Sequence, residues 1–293
     1  MKAAPFEYSR PADIDEACAF LADDDGARVI AGGQTLVPLM AMRLSRPTRL
    51  VDIGRIAALA FVRDDGDGVT IGATTRQCMV ERHPLVAAHV PLLAKAVPWV
   101  GHPATRARGT IGGSLANADP AAEISLVAVT LDATLTYRTT AEEVDVAAAA
   151  FFLGQMITAL PMDACLVRVQ FPRWPDARVG TGFHEVSARR SDFAFAAAAA
   201  QLARDDDGTC RRIAIGIGAV ADTPLRLEAA ETELTGMRLT EASVRSAVRA
   251  ALADIDTTSD LHASADYRRR AAATLAVRAI MDAYEEADAR HDH

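Results

Sequence analysis

Two stretches of this chain give up side chains in favour of bare backbone: residues 31–38, AGGQTLVP, and residues 109–123, GTIGGSLANADPAAE. A glycine-rich turn lets successive N–H groups converge on an anion, because no Cβ blocks the approach and positive φ is open to it. Thr35, Thr110 and Ser114 add hydroxyl donors beside those amides. A phosphate or diphosphate meets that description, and so does a plain tight turn. Neither stretch is a Walker A loop, since no GKS or GKT follows, and neither is a G-x-G-x-x-G opening a helix. GIGAV at 216–220 begins like that fingerprint but lacks its third glycine, and reads as strand interior.

The second stretch closes on Asp119 and Glu123, which would repel a bare phosphate. A dinucleotide resolves the conflict, because its ribose and ribityl hydroxyls donate to carboxylates set along from a diphosphate cradle. Local structure offers a second reading compatible with the first: Asp119 as N-cap, Pro120 at the first helical position and Glu123 in a first turn favoured by the helix dipole.

The 293 residues are enough for two domains. The balance of 31 Lys and Arg against 39 Asp and Glu, net −8, gives no electrostatic footprint for nucleic acid, so no such partner is expected. No apolar run reaches the length of a membrane span and the start, MKAAPFEYSRPADID, has no hydrophobic leader segment, which points to a cytoplasmic protein. Cys18, Cys78, Cys165 and Cys210 are scattered, without the pairs or runs that hold zinc or iron–sulfur clusters, and read as buried thiols. His83, His89, His102 and His262 read as solvated or satisfied histidines, and the tail 289–293, ARHDH, as frayed.

The periodicities build a first lobe over about residues 1–55. Asp13 caps a helix carrying Ile14, Ala17, Cys18 and Leu21, and strands cover residues 28–31 and 49–53. A second lobe over about 56–175 opens on a hairpin at 59–73, continues into a helix with Thr74 and Gln77 at capping-box spacing and another from Pro91, and ends in strand and turn signals up to Pro172. PRWPDARVGTG reads as a linker. Beyond it come two long apolar strands around a DDDG turn, a helix capped by Thr240, and an Ala-rich helix from about 264 to 287.

Taken together, AGGQTLVPLMAMRLSRPTRLVDIG and RGTIGGSLANADPAAE closely resemble the FAD-binding medium subunit of molybdenum hydroxylases, the family of carbon monoxide dehydrogenase, xanthine dehydrogenase and bacterial N-heterocycle hydroxylases. The likeness extends to FFLG, PMDACLVRVQFP and HEVSARRSDFA. It implies an α+β chain: a two-lobed FAD-binding domain of the vanillyl-alcohol-oxidase (PCMH) type over residues 1–175, then a C-terminal domain of small antiparallel sheet with helices over 180–288. It implies that Ala31, Gly32, Gly33, Gln34, Thr35 and Leu36, with Gly109, Thr110, Ile111, Gly112, Gly113 and Ser114, cradle the diphosphate of FAD. Asp119 and Glu123 would meet its hydroxyls, and Val100, Leu160 and His184 would line the flavin. Where relatives read QVRNRGT, this chain has Ala104 and Ala107, His184 stands where a Lys occurs, and the Arg189–Arg190 pair falls one residue late.

The implied activity is that of an oxidoreductase subunit without a substrate base of its own. Electrons would pass from [2Fe–2S] clusters on a small subunit through FAD here to an external acceptor, while the molybdenum cofactor sits on a large subunit, in a dimer of heterotrimers. The alternatives are a self-sufficient FAD-dependent oxidoreductase on the same fold and a binding module that has lost its flavin.

Overall fold

The computed structural model describes residues 2–289, so the tail from 290 onward, with its two histidines, lies outside the described residues. The N-terminal part is a three-stranded parallel sheet in the order β1-β3-β2, built from β1 (Glu7–Ser9), α1 (Ile14–Ala22), β2 (Arg28–Ile30), α2 (Leu36–Ala41) and β3 (Arg49–Asp52). Asp13 caps α1 as its position requires: its carboxylate accepts from the Glu16 amide at 2.9 Å, and Glu16 accepts from the Ala12 amide at 2.6 Å. The helix buries Ala17, Cys18 and Leu21 against the sheet.

The middle of the chain is an antiparallel sheet of five strands in the order β4-β5-β10-β6-β7, faced by short helices. It runs through β4 (Val62–Asp64), β5 (Gly68–Gly72), α3 (Gln77–Val80), α4 (Pro84–His89), α5 (Pro91–Ala96), α6 (Pro103–Arg108), α7 (Ile111–Asn117), α8 (Glu123–Thr130), β6 (Thr134–Arg138), β7 (Glu143–Ala147), α9 (Ala148–Phe151), the small hairpin β8 (Phe152–Gly154) and β9 (Ile157–Thr158), and β10 (Cys165–Pro172). Prolines open α4, α5 and α6, where their missing N–H loses nothing. The expected Thr74–Gln77 capping box does not form. Thr75 instead ties this segment to the hairpin, accepting from the Phe61 amide at 3.0 Å and donating to its carbonyl at 2.9 Å, which leaves α3 a single turn. α8 starts later than expected: Asp119 accepts from the Ala121 amide at 2.9 Å in a local turn, Ala122 takes the cap position and Glu123 opens the helix.

The C-terminal part is an antiparallel sheet, β11-β12-β13-β14, with three helices on one face: β11 (Val179–Ser187), β12 (Ala194–Arg204), β13 (Cys210–Gly218), β14 (Leu225–Arg226), α10 (Glu228–Leu234), α11 (Glu241–Leu252) and α12 (Ala265–Ala289). The capping box at Thr240 forms with Ser243. The glycines read as part of a linker, Gly180 and Gly182, lie inside β11. A Cβ on Gly182 would come within 2.0 Å of the Ala279 carbonyl oxygen, so the bare strand is what lets α12 lie directly on the sheet through Ala272, Ala276, Ala279, Ala283 and Ala287. Gly182→Ala is expected to destabilise the protein by about 3 kcal/mol, the upper range for overpacking, read as a lowered urea midpoint. Cys18, Cys165 and Cys210 are buried thiols and Cys78 is half-buried.

Candidate functional site: a cleft between two glycine loops

The two glycine loops meet. A Cβ on Gly32 would fall 2.5 Å from the Arg108 carbonyl oxygen and 2.9 Å from the Gly109 Cα, so the bend after β2 and the turn before α7 touch backbone to backbone. Gly33 follows at φ +69°, the left-handed conformation that redirects the chain into α2. Gly112 sits against Ala73, where a Cβ would be 2.5 Å from that residue's own, and so seats α7 on the end of β5. The Arg76 guanidinium donates to the Arg108 carbonyl and closes the junction from outside.

Between the loops lies a cleft of about 580 Å³. Its walls include both glycine segments, Val100, Leu160, Asp119 and Glu123. Every candidate residue named from the sequence lines it except two. Ile111 points into the core and is wholly buried, contributing packing and no wall. His184 lies on the opposite face of β11, in the phase of Gly180 and Gly182 that faces α12, and its Nε2 pairs with Asp282 at 2.7 Å. The sequence reading that put His184 beside the flavin is corrected on this point.

The loops divide the work unequally. Among the described residues, the amides of Gly32, Gly33, Gln34 and Thr35 have no acceptor within the chain, leaving four consecutive donors at the cleft. In the second loop the amides are engaged: Ile111 donates to Thr75 O at 3.0 Å, Gly112 to Ala73 O at 2.9 Å, and Gly113 to the Thr110 hydroxyl oxygen at 3.0 Å. That loop therefore offers the Thr110 and Ser114 hydroxyls, and its glycines pack against Gln77, Ala73 and Thr110. A run of consecutive unpaired amides at a cleft wall makes an anion cradle, and a diphosphate fits it.

The far end of the cleft is acidic. Burial pushes the Glu123 carboxyl up to about 7, opposed by its own backbone amide and by Arg106 and reinforced by Asp119. Burial also raises Asp119. On β11, Glu185 faces Glu123, and both of its carboxylate oxygens are buried without a hydrogen-bond partner; burial, with the charge of Glu123, pushes it up to about 8. Near neutral pH Glu123 and Glu185 retain protons and can donate as well as accept.

Sequence reasoning missed several walls. Gln77 and Asn117 bring amide side chains to the cleft, Thr105 a hydroxyl, and Ser191, Asp192 and Phe193 close one side from the C-terminal part. The last three lie in the quoted HEVSARRSDFA segment, whose Ser191 takes φ +74° and whose Phe193 is 74% exposed. Arg190 stacks over Trp99, with its guanidinium carbon 5.9 Å from the ring centre. Arg106 shapes the neighbouring wall: buried, it pairs with Glu81 at 2.9 Å and donates to the Val100 and Gly101 carbonyls at 3.1 and 2.8 Å. Arg106→Leu would strand Glu81 and release Val100, and is expected to cost about 3 kcal/mol in a urea melt.

The model described as the FAD binding domain in molybdopterin dehydrogenase matches residues 4–174, and that of the CO dehydrogenase flavoprotein C-terminal domain matches residues 181–283. The chain belongs to the FAD-binding subunits of the molybdopterin dehydrogenases. It is 35% identical to the 6-hydroxypseudooxynicotine dehydrogenase complex subunit alpha of Paenarthrobacter nicotinovorans, over 98% of this chain and 97% of that one. It is 32% identical to the carbon monoxide dehydrogenase medium chain of Hydrogenophaga pseudoflava, over 95% and 97%. A chain of the quinoline 2-oxidoreductase structure from Pseudomonas putida 86 superposes with a TM-score of 0.93 at 36% identity, over 98% of this chain and 99% of that one.

As a member of this family the chain is an FAD-binding oxidoreductase subunit with the α+β architecture the motifs imply. Its departures from the family pattern fall away from the cleft. Ala104 and Ala107 lie on the exposed face of α6, while Thr105 and Arg106 between them face inward.

Proposed function

We propose that this chain holds FAD in the cleft, with the diphosphate on the amides of Gly32, Gly33, Gln34 and Thr35, and relays electrons from [2Fe–2S] clusters of a small partner subunit to an external acceptor. The observation that carries the reading is the run of four unpaired amides pressed against the second glycine loop. Bound FAD supplies a group that takes electrons singly or in pairs and so links one-electron carriers to a two-electron acceptor.

The chain's own residues bind and orient. Thr110 and Ser114 extend the diphosphate site with hydroxyls, and Ala31, Leu36, Gly109, Gly112 and Gly113 wall it. Asp119 and Glu123 take the ribityl and ribose hydroxyls, and Val100 and Leu160 present an apolar wall to the ring. Ile111 supports this from the core. Substrate oxidation takes place on a large molybdenum-cofactor subunit, and the three subunits assemble as a dimer of heterotrimers in the cytoplasm. Among the described residues no helix is long and apolar enough to cross a membrane. The FAD-binding unit spans residues 1–175 and the C-terminal unit 180–288.

The relay reading is tested by mixing the FAD-loaded chain anaerobically with the reduced iron–sulfur subunit. Bleaching of the flavin absorbance is expected with that subunit and not with substrate alone. Turnover of a substrate by the isolated chain would show a self-sufficient oxidase instead.

A further inference from the structure

Arg76 lies between β5 and α3, where the chain pairs with the second glycine loop. Residues 75–77 run antiparallel to 109–111 through a single bridge, with Arg76 opposite Thr110. The Ile111 N–H donates to the Thr75 carbonyl and the Gln77 N–H to the Gly109 carbonyl, each at 3.0 Å. Two hydrogen bonds between short extended segments make a marginal tie in water. Side chains extend it. The Arg76 guanidinium donates to the Arg108 carbonyl, and the Gln77 amide lies so close to Gly109 that a Cβ there would fall 2.5 Å from its Oε1. The carbonyls of Arg108 and Gly109 are thus taken in order by the side chain of Arg76 and the backbone of Gln77.

The place of Arg76 differs from that of an ordinary surface arginine. It is half-buried, and its acceptor is a main-chain carbonyl. Its Nη2 lies beside Gly54, where a Cβ would be 3.9 Å from that nitrogen and 3.6 Å from the Ala31 carbonyl oxygen. The guanidinium therefore stands where the bend after β2, the exit from β3 and the second loop come together. The carbonyl oxygen it holds is also the one that Gly32 packs against, 2.5 Å from where a Cβ on that glycine would be. A charged donor holds a carbonyl more firmly than a neutral one does, so the seat of the first loop is fixed from the side away from its amides. We propose that Arg76 is a positioning residue for the cofactor: it pins the Arg108 carbonyl on which the first loop is seated, and so sets the register of the Gly32, Gly33, Gln34 and Thr35 amides toward the diphosphate. The assignment rests on the reading that the diphosphate of FAD lies on those amides.

The test pairs a flavin-fluorescence titration of the apoprotein with nitrogen-15 labelling of its glycines, which reports on the loop before any flavin is added. In Arg76→Met, FAD affinity is expected to fall at least about tenfold, the effect of displacing one charge-assisted hydrogen bond. The amide resonances of Gly32 and Gly33 move in that variant, while those of Gly180 and Gly182, inside β11, stay in place. Arg76→Lys keeps a charged donor and is expected to bring affinity back to within about threefold of the native value, and both resonances back towards their native positions. Arg82→Met, at an exposed position outside the cleft wall, is the control and changes neither readout. If Arg76→Met fails to fold, Arg76→Gln, polar but too short to reach the Arg108 carbonyl, takes its place with the same expectations. Unmoved loop resonances together with native affinity would overturn the proposal. Moved resonances with native affinity would place the diphosphate away from those amides, overturning that reading and the proposal with it while leaving the tie from Arg76 to the loops intact.

Discussion

Gly32→Ala is expected to lower the affinity of the apoprotein for FAD by at least about 100-fold in a flavin-fluorescence titration, with the far-ultraviolet circular dichroism unchanged. The added methyl would meet the Arg108 carbonyl oxygen at 2.5 Å and the Gly109 Cα at 2.9 Å, and neither is a flexible side chain that could step aside. The first loop must therefore retreat, carrying its four unpaired amides out of register with an anion. Charge-assisted hydrogen bonds contribute about 1.5–3 kcal/mol each, so misaligning two of them reaches the 100-fold level. Gly154→Ala is the control. Its nearest neighbour would be 3.8 Å away in ordinary contact, and Gly154 is no part of the cleft wall, so flavin affinity should not change.

The second large effect is on stability against pH, and it comes from the acidic end of the cleft. Glu123 and Glu185 are raised in the folded protein to about 7 and about 8 from the ordinary glutamate value of 4.5. Below pH 4.5 both are protonated whether the chain is folded or not, and their contribution is at its most favourable. Between pH 4.5 and 8 the unfolded chain releases these protons while the folded one keeps them, so stability falls as pH rises through that window. Asp119, also raised by burial, acts in the same direction, while Arg106 works against it. Other charged groups around β11 are already matched: Lys95 with Glu286 at 2.7 Å and His184 with Asp282 at 2.7 Å. Discounting for the partial exposure of Glu185, the apoprotein should lose on the order of 4 kcal/mol between pH 5 and 8. Glu185→Gln should remove about half of that slope, measured by urea melts at each pH. An identical slope in the variant would show that Glu185 does not hold a proton there. Carboxylates lowered by hydrogen bonds, such as Asp260 at about 2, lose their contribution only at more acidic pH and leave this window clear.

The glycines of the cleft were legible because each answers a local demand that only a missing Cβ meets: positive φ at Gly33, and close backbone approach at Gly32 and Gly112. That the two loops touch was an inference from resemblance, since no spacing along the chain encodes a contact between residue 32 and residue 109. The unequal division of their amides was invisible, because it depends on the carbonyls of Ala73 and Thr75 arriving from the hairpin. His184 was misplaced for a simple reason. Strand phase along β11 is set by Gly180 and Gly182 against α12, and while those glycines read as a linker the phase could not be read at all. β7 escaped notice as a mostly exposed edge strand, EVDVA, inside an acidic run, and α10 as seven residues without a capping side chain. Ser191, Asp192 and Phe193 were seen as part of a motif, but their place on the cleft wall comes from the return of β12 beside β11.

The most direct measurement is a structure of this chain with FAD bound. The account predicts the diphosphate oxygens at about 3 Å from the amides of Gly32, Gly33, Gln34 and Thr35, with the hydroxyls of Thr110 and Ser114 alongside. A diphosphate held elsewhere, with those four amides still unpaired, would contradict it.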